Sequence, residues 1–469
     1  MDRSGGVPQY SRHRLTDQRY SSDPTRFTVG VRMWVSWGVS MKRLFSTMVL
    51  SVLVCTLNAV AEQVTPSERV KESINIRQAP SADSPVLGAL HTGESLEFLG
   101  SVPWWYKVRL PSGQPAFVSK AWSNVTATNP VAAPGIAYRM HVVDVGTGLA
   151  IYVQGPDFNL VYDAGSMDDR QTGDKNRFVA YLKAVNPGLT RIDHLIVSHP
   201  HQDHIALLPD VLYEYEVDHV WDSGAGYNSC GYRTFINAVR EEGAQYHTST
   251  QNFGVHAKEF ELTSSACGGL GDSFAMTHGS QITNDPISLG PGASMRFLYI
   301  NAEAHSDVNE NSLVLRLDLA DKRLLLMGDA EAGTRRHPSS PPDAASIEDM
   351  LLICCQSQIK ADVLVVGHHG SETSSRTAFL AAVGAEHFVI SSGPYPYGSV
   401  TLPDETVRQV LMNVGQLHET NLNDDACKGN PAKIGPIESN ANKQKPGGCN
   451  SIQITITAGA DIAVTSFPL

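Results

Sequence analysis

Ser198-His199-Pro200-His201-Gln202-Asp203-His204 directly follows Ile192-Asp193-His194-Leu195-Ile196-Val197, an apolar run that predicts a buried strand ending in a loop. Three imidazoles and a carboxylate therefore crowd one strand-to-loop turn. His199 and His201 are two residues apart and, in extended backbone, point to the same side. Asp203 and His204 are adjacent and must point apart. One turn thus offers two pairs of metal-binding side chains, enough to begin two neighbouring sites. Imidazole with carboxylate suits zinc, manganese or iron better than calcium. Chance would give His-x-His-x-Asp-His on the order of once per thousand chains of this composition, so the pattern outweighs a reading as surface histidines on a polar loop.

Two cations need more than four side chains, and later strand ends supply them. Residues 313–319 and 322–327 predict a hairpin around Ala320-Asp321 whose second strand stops at Gly328-Asp329-Ala330. A carboxylate there can bridge two cations about 3.5–4 Å apart. The plain alternative for Asp329 is a helix N-cap. Residues 361–366 predict another buried strand, leading into Gly367-His368-His369-Gly370-Ser371, where glycines let backbone approach the ions closely. His368 leaves the strand first and is expected to be the ligand. His369 is then free as proton donor or phosphate contact; the reverse order is the alternative.

The chain has 469 residues, enough for two or three domains, with 42% hydrophobic content ordinary for a globular protein. Met41-Lys42-Arg43, an apolar run over 44–57 and Ala59-Val60-Ala61 together read as a signal peptide, with Met41 as the true start and residues 1–61 dispensable. The apolar run is short for a spanning helix. The expected mature chain is therefore periplasmic or secreted, cleaved near Ala61, with no membrane span. Its loss of 1–61 removes eight of 36 Lys and Arg and three of 48 Asp and Glu, leaving 28 against 45, a net of −17. That balance disfavours broad electrostatic binding to nucleic acid, though not a local basic groove. Six cysteines remain, an even count that points to disulfides in an exported chain. Cys230–Cys267 and Cys427–Cys449 are the expected pairs, each closing a Gly/Asn-rich loop. Cys354 and Cys355 follow Leu351-Leu352-Ile353 and read as buried thiols.

Residues 64–125 carry short alternating strands separated by turn residues, the pattern of a small all-β barrel. Asn75, Arg77, Pro80, Gly88, Trp105, Tyr106 and Gly113 match the pattern of the bacterial SH3-like domain, which this segment resembles; Phe117 stands where a Trp is usual. The resemblance implies contact with cell wall or peptide. A spacer or an intramolecular lid is the alternative. Residues 126–136, rich in Pro and Ala, read as a linker, and 137–469 as the catalytic domain.

In that domain the order strand, hairpin, helix (177–185), strand, His-rich loop resembles the metallo-β-lactamase fold, an α+β, αββα sandwich. Asp144-Val145-Gly146, Asp163-x-Gly165, the 198–204 turn, Asn311-Ser312-Leu313, Gly328-Asp329, Gly367 to Ser371 and Tyr397-Gly398 are similar to the hydrolase domain of ComEC-type competence proteins over roughly 138–410. The resemblance implies a metal-dependent hydrolase with two divalent ions, zinc or manganese. The general fold has a further ligand histidine where this chain has Asn309-Glu310-Asn311-Ser312, with only His305 nearby. The usual Tyr-Gly-His-Pro reads Tyr397-Gly398-Ser399-Val400. The membrane channel of full competence proteins is missing.

The expected scheme places one ion on His199 and His201 and the other on Asp203, His204 and His368, bridged by Asp329. A shared water loses its proton and attacks in line, oriented by Asp203. His369 or Ser371 steadies the anion or protonates the leaving oxygen. Asp163 holds a ligand histidine from behind, and Asn311 and Ser312 stand on the substrate side. Phosphodiester cleavage, including that of DNA, is the leading function. An ester, lactone or amide hydrolase of envelope material is the runner-up, and a wall-binding scaffold without catalysis is a third reading.

Overall fold

The computed structural model describes residues 63–102, 104–126, 135–169, 172–249, 257–262, 272–277, 279–303, 305–422 and 450–467. The signal-peptide reading, most of the linker, and Cys267, Cys427 and Cys449 lie outside these residues. Among the described residues, no helix is long and apolar enough to cross a membrane.

In the N-terminal barrel, alternation sets the inner face. Ile74, Ile76, Tyr106, Val108, Ala116 and Val118 point inward from successive strands and are buried together with Val64 and Val125. The strand Gln63–Pro66 pairs antiparallel with Ser123–Thr126, tying the barrel's beginning to its end. The barrel is also fixed to the domain that follows. Arg296, 7% exposed, donates from Nη2 to Val125 O at 2.5 Å. Gln358 Nε2 donates to Asn124 Oδ1 at 2.9 Å, and Lys120 pairs with Asp285 at 3.2 Å. Burial, with the nearby Asp285 carboxylate, pushes the Tyr106 hydroxyl up to about 12.

Two sheets form the middle layers of the catalytic domain. In the first, the antiparallel run Ala137–Val142, Ala150–Gln154, Asn159–Ala164 is extended by the parallel strands Arg191–Ile196, Glu216–Trp221 and Gln245–His247. Ser451–Thr457 and Ala463–Phe467 close its other edge. The second repeats the plan: antiparallel Ala293–Tyr299, Val314–Leu319 and Lys322–Leu326, then parallel Val363–Val365, His387–Ile390 and Gln416–Glu419. Period-two alternation divides each sheet's side chains between two cores. Met140, Ile151, Leu160, Tyr162 and Ile196 meet Phe297, Leu315, Leu317, Leu326 and Val365 between the sheets.

Helices cover the outer faces. On the first sheet lie α1 (Arg177–Val185), α2 (Gln202–Ile205), α3 (Leu208–Glu214) and α4 (Cys230–Glu242). On the second lie α5 (Ile347–Cys354), α6 (Thr377–Val383) and α7 (Glu405–Val414). After the motif, α2 ends at Ile205, and Pro209 stands in the first turn of α3, where its missing N–H leaves no helical hydrogen bond unmade. Ser229 caps α4 by accepting from Tyr232 N, and Gly243, at φ 78°, ends it.

The reading of Cys354 and Cys355 as buried thiols is corrected: they are disulfide-bonded to each other, and Cys354 is exposed. Ile347 and Leu351 face the core, one helical turn apart, and Ile353, on the opposite side of α5, is 66% exposed. Cys230 is disulfide-bonded; its expected partner, Cys267, is outside the described residues.

Candidate metal centre

All the side chains singled out at strand ends meet at one edge of the sandwich. The strand Arg191–Ile196 delivers the 198–204 turn, Lys322–Leu326 delivers Asp329, and Val363–Val365 delivers His368 and His369. Close backbone approach makes this possible. Gly328, at φ 55°, lies where a Cβ would stand 2.6 Å from Ser198 Cβ. At Gly165 a Cβ would be 2.2 Å from Asp203 C and His204 N.

Asp329 lies at the centre, 2% exposed. Its two oxygens face different imidazoles. Oδ1 lies 3.1 Å from His204 Nε2 and 3.6 Å from His369 Nε2. Oδ2 lies 3.6 Å from His199 Nε2 and 3.9 Å from His368 Nε2. Two donor groups result: His199, His204 and Asp329, and Asp203, His204 and His369, each with ligand atoms within 4.8 Å of one another. His201 Nδ1 is 3.0 Å from His199 Nε2, so the two residues expected on one side do converge.

Partners behind the rings direct these nitrogens. Asp163 is fully buried, with a left-handed φ of 56°. It accepts from Ser198 N and Ser198 Oγ, each at 2.6 Å, and lies 2.9 Å from His204 Nδ1. A carboxylate can only accept, so His204 Nδ1 carries a hydrogen and Nε2 faces Asp329. His369 Nδ1 lies 2.8 Å from Ser391 O, which aims its Nε2 in the same way.

The expected order of the two adjacent histidines is reversed. His369, not His368, joins Asp203 and His204, with Nε2 3.5 Å from Asp203 Oδ2 and 3.2 Å from His204 Nε2. The cause is backbone: His368 and His369 both adopt left-handed conformations, at φ 48° and 51°, so the chain turns back on itself rather than continuing along the strand direction. His368 instead reaches the Oδ2 side of Asp329.

Three further expectations are corrected. Ser371 is buried and accepts from Arg335 Nη1 and Thr373 N, bracing the turn rather than facing substrate. Asn311 donates to Asn301 O and Glu303 O, holding a loop. Ser312 accepts from Asp329 N at 3.1 Å and so seats the central carboxylate from behind. His305 is exposed, 2.9 Å from Asn301 Nδ2. The short turn Val308–Asn311 instead presents Asn309 to the cleft. Tyr397, noted only as part of a resemblance, donates its hydroxyl to Asp203 Oδ2.

Burial opposes charge throughout, and specific partners decide the outcome. Burial raises Asp163, against His204. For Asp203, burial is outweighed by the hydrogen bond from His369 and the charge of His204, which hold the carboxyl well below its ordinary range. Burial and the neighbouring His204 hold His199 far down, so it is neutral with a free lone pair. Against burial, Asp329 and Asp163 raise His204 well above its ordinary value. A proton thus sits among donors that a cation would satisfy in its place. Asp329 is buried among four imidazoles, and the nearest group to its Oδ1 is His204 Nε2 at 3.1 Å, whose proton a cation would replace. Imidazole nitrogens around a buried carboxylate, His204 giving up its proton on binding, fit divalent cations of the zinc or manganese kind. A cleft of about 510 Å³ opens beside them, with His201, Asp203, Asp329, His368 and Tyr397 on one side and Met167, Ile205 and Tyr227 among the rest.

Four layers with this edge define a metal-dependent hydrolase fold. Residues 143–393, more than half the chain, match the metallo-beta-lactamase superfamily, and the chain belongs to it. Residues 72–124 match the bacterial SH3 domain. The chain is 26% identical over 264 residues to "Competence protein ComA" of Neisseria gonorrhoeae, covering 56% of this chain and 28% of that protein. It is 26% identical over 257 residues to "Recombination protein 2" of Haemophilus influenzae, covering 55% and 24%. The chain thus spans about a quarter of the length of these curated relatives. Among solved structures, the metallo-beta-lactamase fold protein YhfI from Bacillus subtilis is 12% identical, with a TM-score of 0.33, over 61% of this chain and 97% of that one.

Proposed function

We propose that this chain is an exported two-cation hydrolase that cleaves phosphodiesters, with DNA among its substrates. The division of Asp329 between two sets of imidazoles carries the reading. His199 and His201 would serve one ion, and Asp203, His204 and His369 the other. Two divalent ions held there would supply a water that ionises near neutral pH and positive charge for the transition state. The chain's own groups do the remainder. Burial and the Asp203 carboxylate raise the Tyr397 hydroxyl far above its ordinary range, so it keeps its one hydrogen and donates it to Asp203 Oδ2, orienting that carboxylate at the centre. Met167, Ile205 and Tyr227 keep water from one wall of the cleft. The names of the competence and recombination relatives support DNA as a substrate class.

The test is hydrolysis of bis(p-nitrophenyl) phosphate and single-stranded DNA by the cation-loaded chain, alongside p-nitrophenyl esters and lactones. His201→Ala is expected to lower kcat/KM on the diesters by at least ~100-fold. Diester cleavage that survives both chelation and this substitution would end the reading. Ester or lactone hydrolysis is the second reading, favoured by one observation: no Lys or Arg lines the cleft among the described residues.

The barrel would hold the enzyme at the wall. It carries a groove of about 500 Å³ lined by Arg69, Lys71, Arg77, Trp105 and Trp122, cationic and aromatic, which supports contact with an anionic wall polymer or peptide. No barrel residue lines the catalytic cleft among the described residues, which counts against a lid. The full chain is expected to sediment with peptidoglycan and Lys71→Glu to do so several-fold less, as charge reversal in a cationic groove requires; equal sedimentation of both refutes the contact.

A further inference from the structure

Resting on the two-cation reading, we propose that Glu331 turns two neutral donors, His368 Nε2 and Asn309 Oδ1, onto the Oδ2 side of Asp329. There they complete the shell of the divalent cation held by His199 and His201. The general fold uses a further histidine here, and the only nearby one, His305, is exposed and turned to Asn301.

Glu331 follows Asp329 by two residues at the same strand end. Its Oε1 lies 2.8 Å from His368 Nδ1 and 3.3 Å from Asn309 Nδ2. The carboxylate accepts from both. His368 therefore carries hydrogen on Nδ1, which Thr373 Oγ1, 2.6 Å away and itself donating to Ser371 Oγ, also accepts, and its Nε2 faces the other way, 3.9 Å from Asp329 Oδ2. That is the oxygen His199 Nε2 faces at 3.6 Å; His204 and His369 face Oδ1 instead. The same carboxylate takes the Asn309 amide hydrogens and leaves Oδ1 outward. Asn309 is 4% exposed, yet its Oδ1 has no hydrogen-bond partner among the described residues. An unpaired buried carbonyl oxygen costs on the order of 1–3 kcal/mol, so a partner is expected, and the residue lines the cleft beside Asp329 and His201. A cation, which needs lone pairs, satisfies both donors at once. The arrangement resembles Asp163 behind His204: in each half of the centre a carboxylate, fully buried at Asp163 and partly buried at Glu331, accepts from the Nδ1 of a ring that faces Asp329. The resulting shell, three imidazole nitrogens and two oxygens, suits zinc or manganese.

The experiment titrates the metal-free full-length chain with Mn²⁺, following free Mn²⁺ by electron paramagnetic resonance, so the readout is binding and not turnover. Wild type is expected to take up two ions. His368→Ala and Asn309→Ala should each weaken one of them by about 10-fold or more and leave the other unchanged. Glu331→Ala should do the same, and Glu331→Gln, which can still accept from His368 Nδ1, should recover most of the loss. The double variant His368→Ala/His369→Ala tests the division of labour: it should hold no ion tightly, whereas two rings serving one ion would leave one tight ion behind. Should His368→Ala fail to fold by circular dichroism, Asn309→Ala and the Glu331 pair carry the test. Two ions bound with wild-type affinity by Asn309→Ala and the His368 or Glu331 variants overturn this inference alone. A wild-type chain that takes up no cation overturns the two-cation reading and this inference with it.

Discussion

Asp329→Ala is expected to strip both cations from the protein and to lower diester hydrolysis by at least ~1,000-fold, the largest effect of any single substitution. Among the described residues, Asp329 is the carboxylate whose two oxygens face different imidazoles: Oδ1 faces His204 and His369, and Oδ2 faces His199 and His368. Losing either oxygen would impair one ion; losing the carboxylate removes charge from both. The same substitution should cost the metal-free fold little. There, after the opposing effect of burial, His204 is held protonated chiefly by Asp329. Without that carboxylate His204 can shed its proton instead of remaining a buried unpaired charge, so the metal-free loss is at most ~1–3 kcal/mol. The signature is therefore a contrast. Wild type gains Tm when Mn²⁺ or Zn²⁺ is added, because the ions bind only the folded chain, and Asp329→Ala gains none. Metal analysis showing two ions per chain in the variant would contradict the bridging role.

How far the sequence alone reaches can be judged at the same residues. The 198–204 turn, Asp329 and the 367–371 turn are visible because strand-end position and residue type both register in a one-dimensional pattern. So is the barrel, whose alternating strands repeat every few residues. The exchange of His368 and His369 is not visible: it depends on two successive left-handed backbones, which no periodicity encodes. Ser371 and Asn311 were expected at the substrate because of their neighbours in the chain, but their side chains bond backwards into the scaffold. Asn309 and Glu331 meet across 22 residues within the second sheet's half, and Tyr397 reaches Asp203 across 194 residues, where the two sheets come together. Glu331 did carry a signal: it is an acid two residues beyond a bridging carboxylate, on a strand end already aimed at the centre.

Asp163 joins the problem of the fold to that of the site, and its substitutions are expected to separate the two. Its left-handed φ of 56° is strained for alanine but tolerated by asparagine. Asp163→Ala also leaves Ser198 N, Ser198 Oγ and His204 Nδ1 without their acceptor in a fully buried place. A loss of roughly 3–5 kcal/mol is expected, enough to lower Tm sharply. Asp163→Asn keeps the backbone and one oxygen to accept from Ser198 N, so most of the stability returns. Its Nδ2 donates, and it therefore cannot accept from both Ser198 Oγ and His204 Nδ1. His204 is then free to rotate or to move its hydrogen to Nε2, the nitrogen that faces Asp329. One ion, the one shared with Asp203 and His369, should weaken by about 10–100-fold, while the ion on the His199 side keeps its affinity. Thermal melts with and without chelator, beside the Mn²⁺ titration, distinguish the cases. If Asp163→Asn bound both ions as wild type does, the buried carboxylate would be a structural brace alone, and the orientation of His204 would have to come from Ser198, 3.3 Å from the same Nδ1.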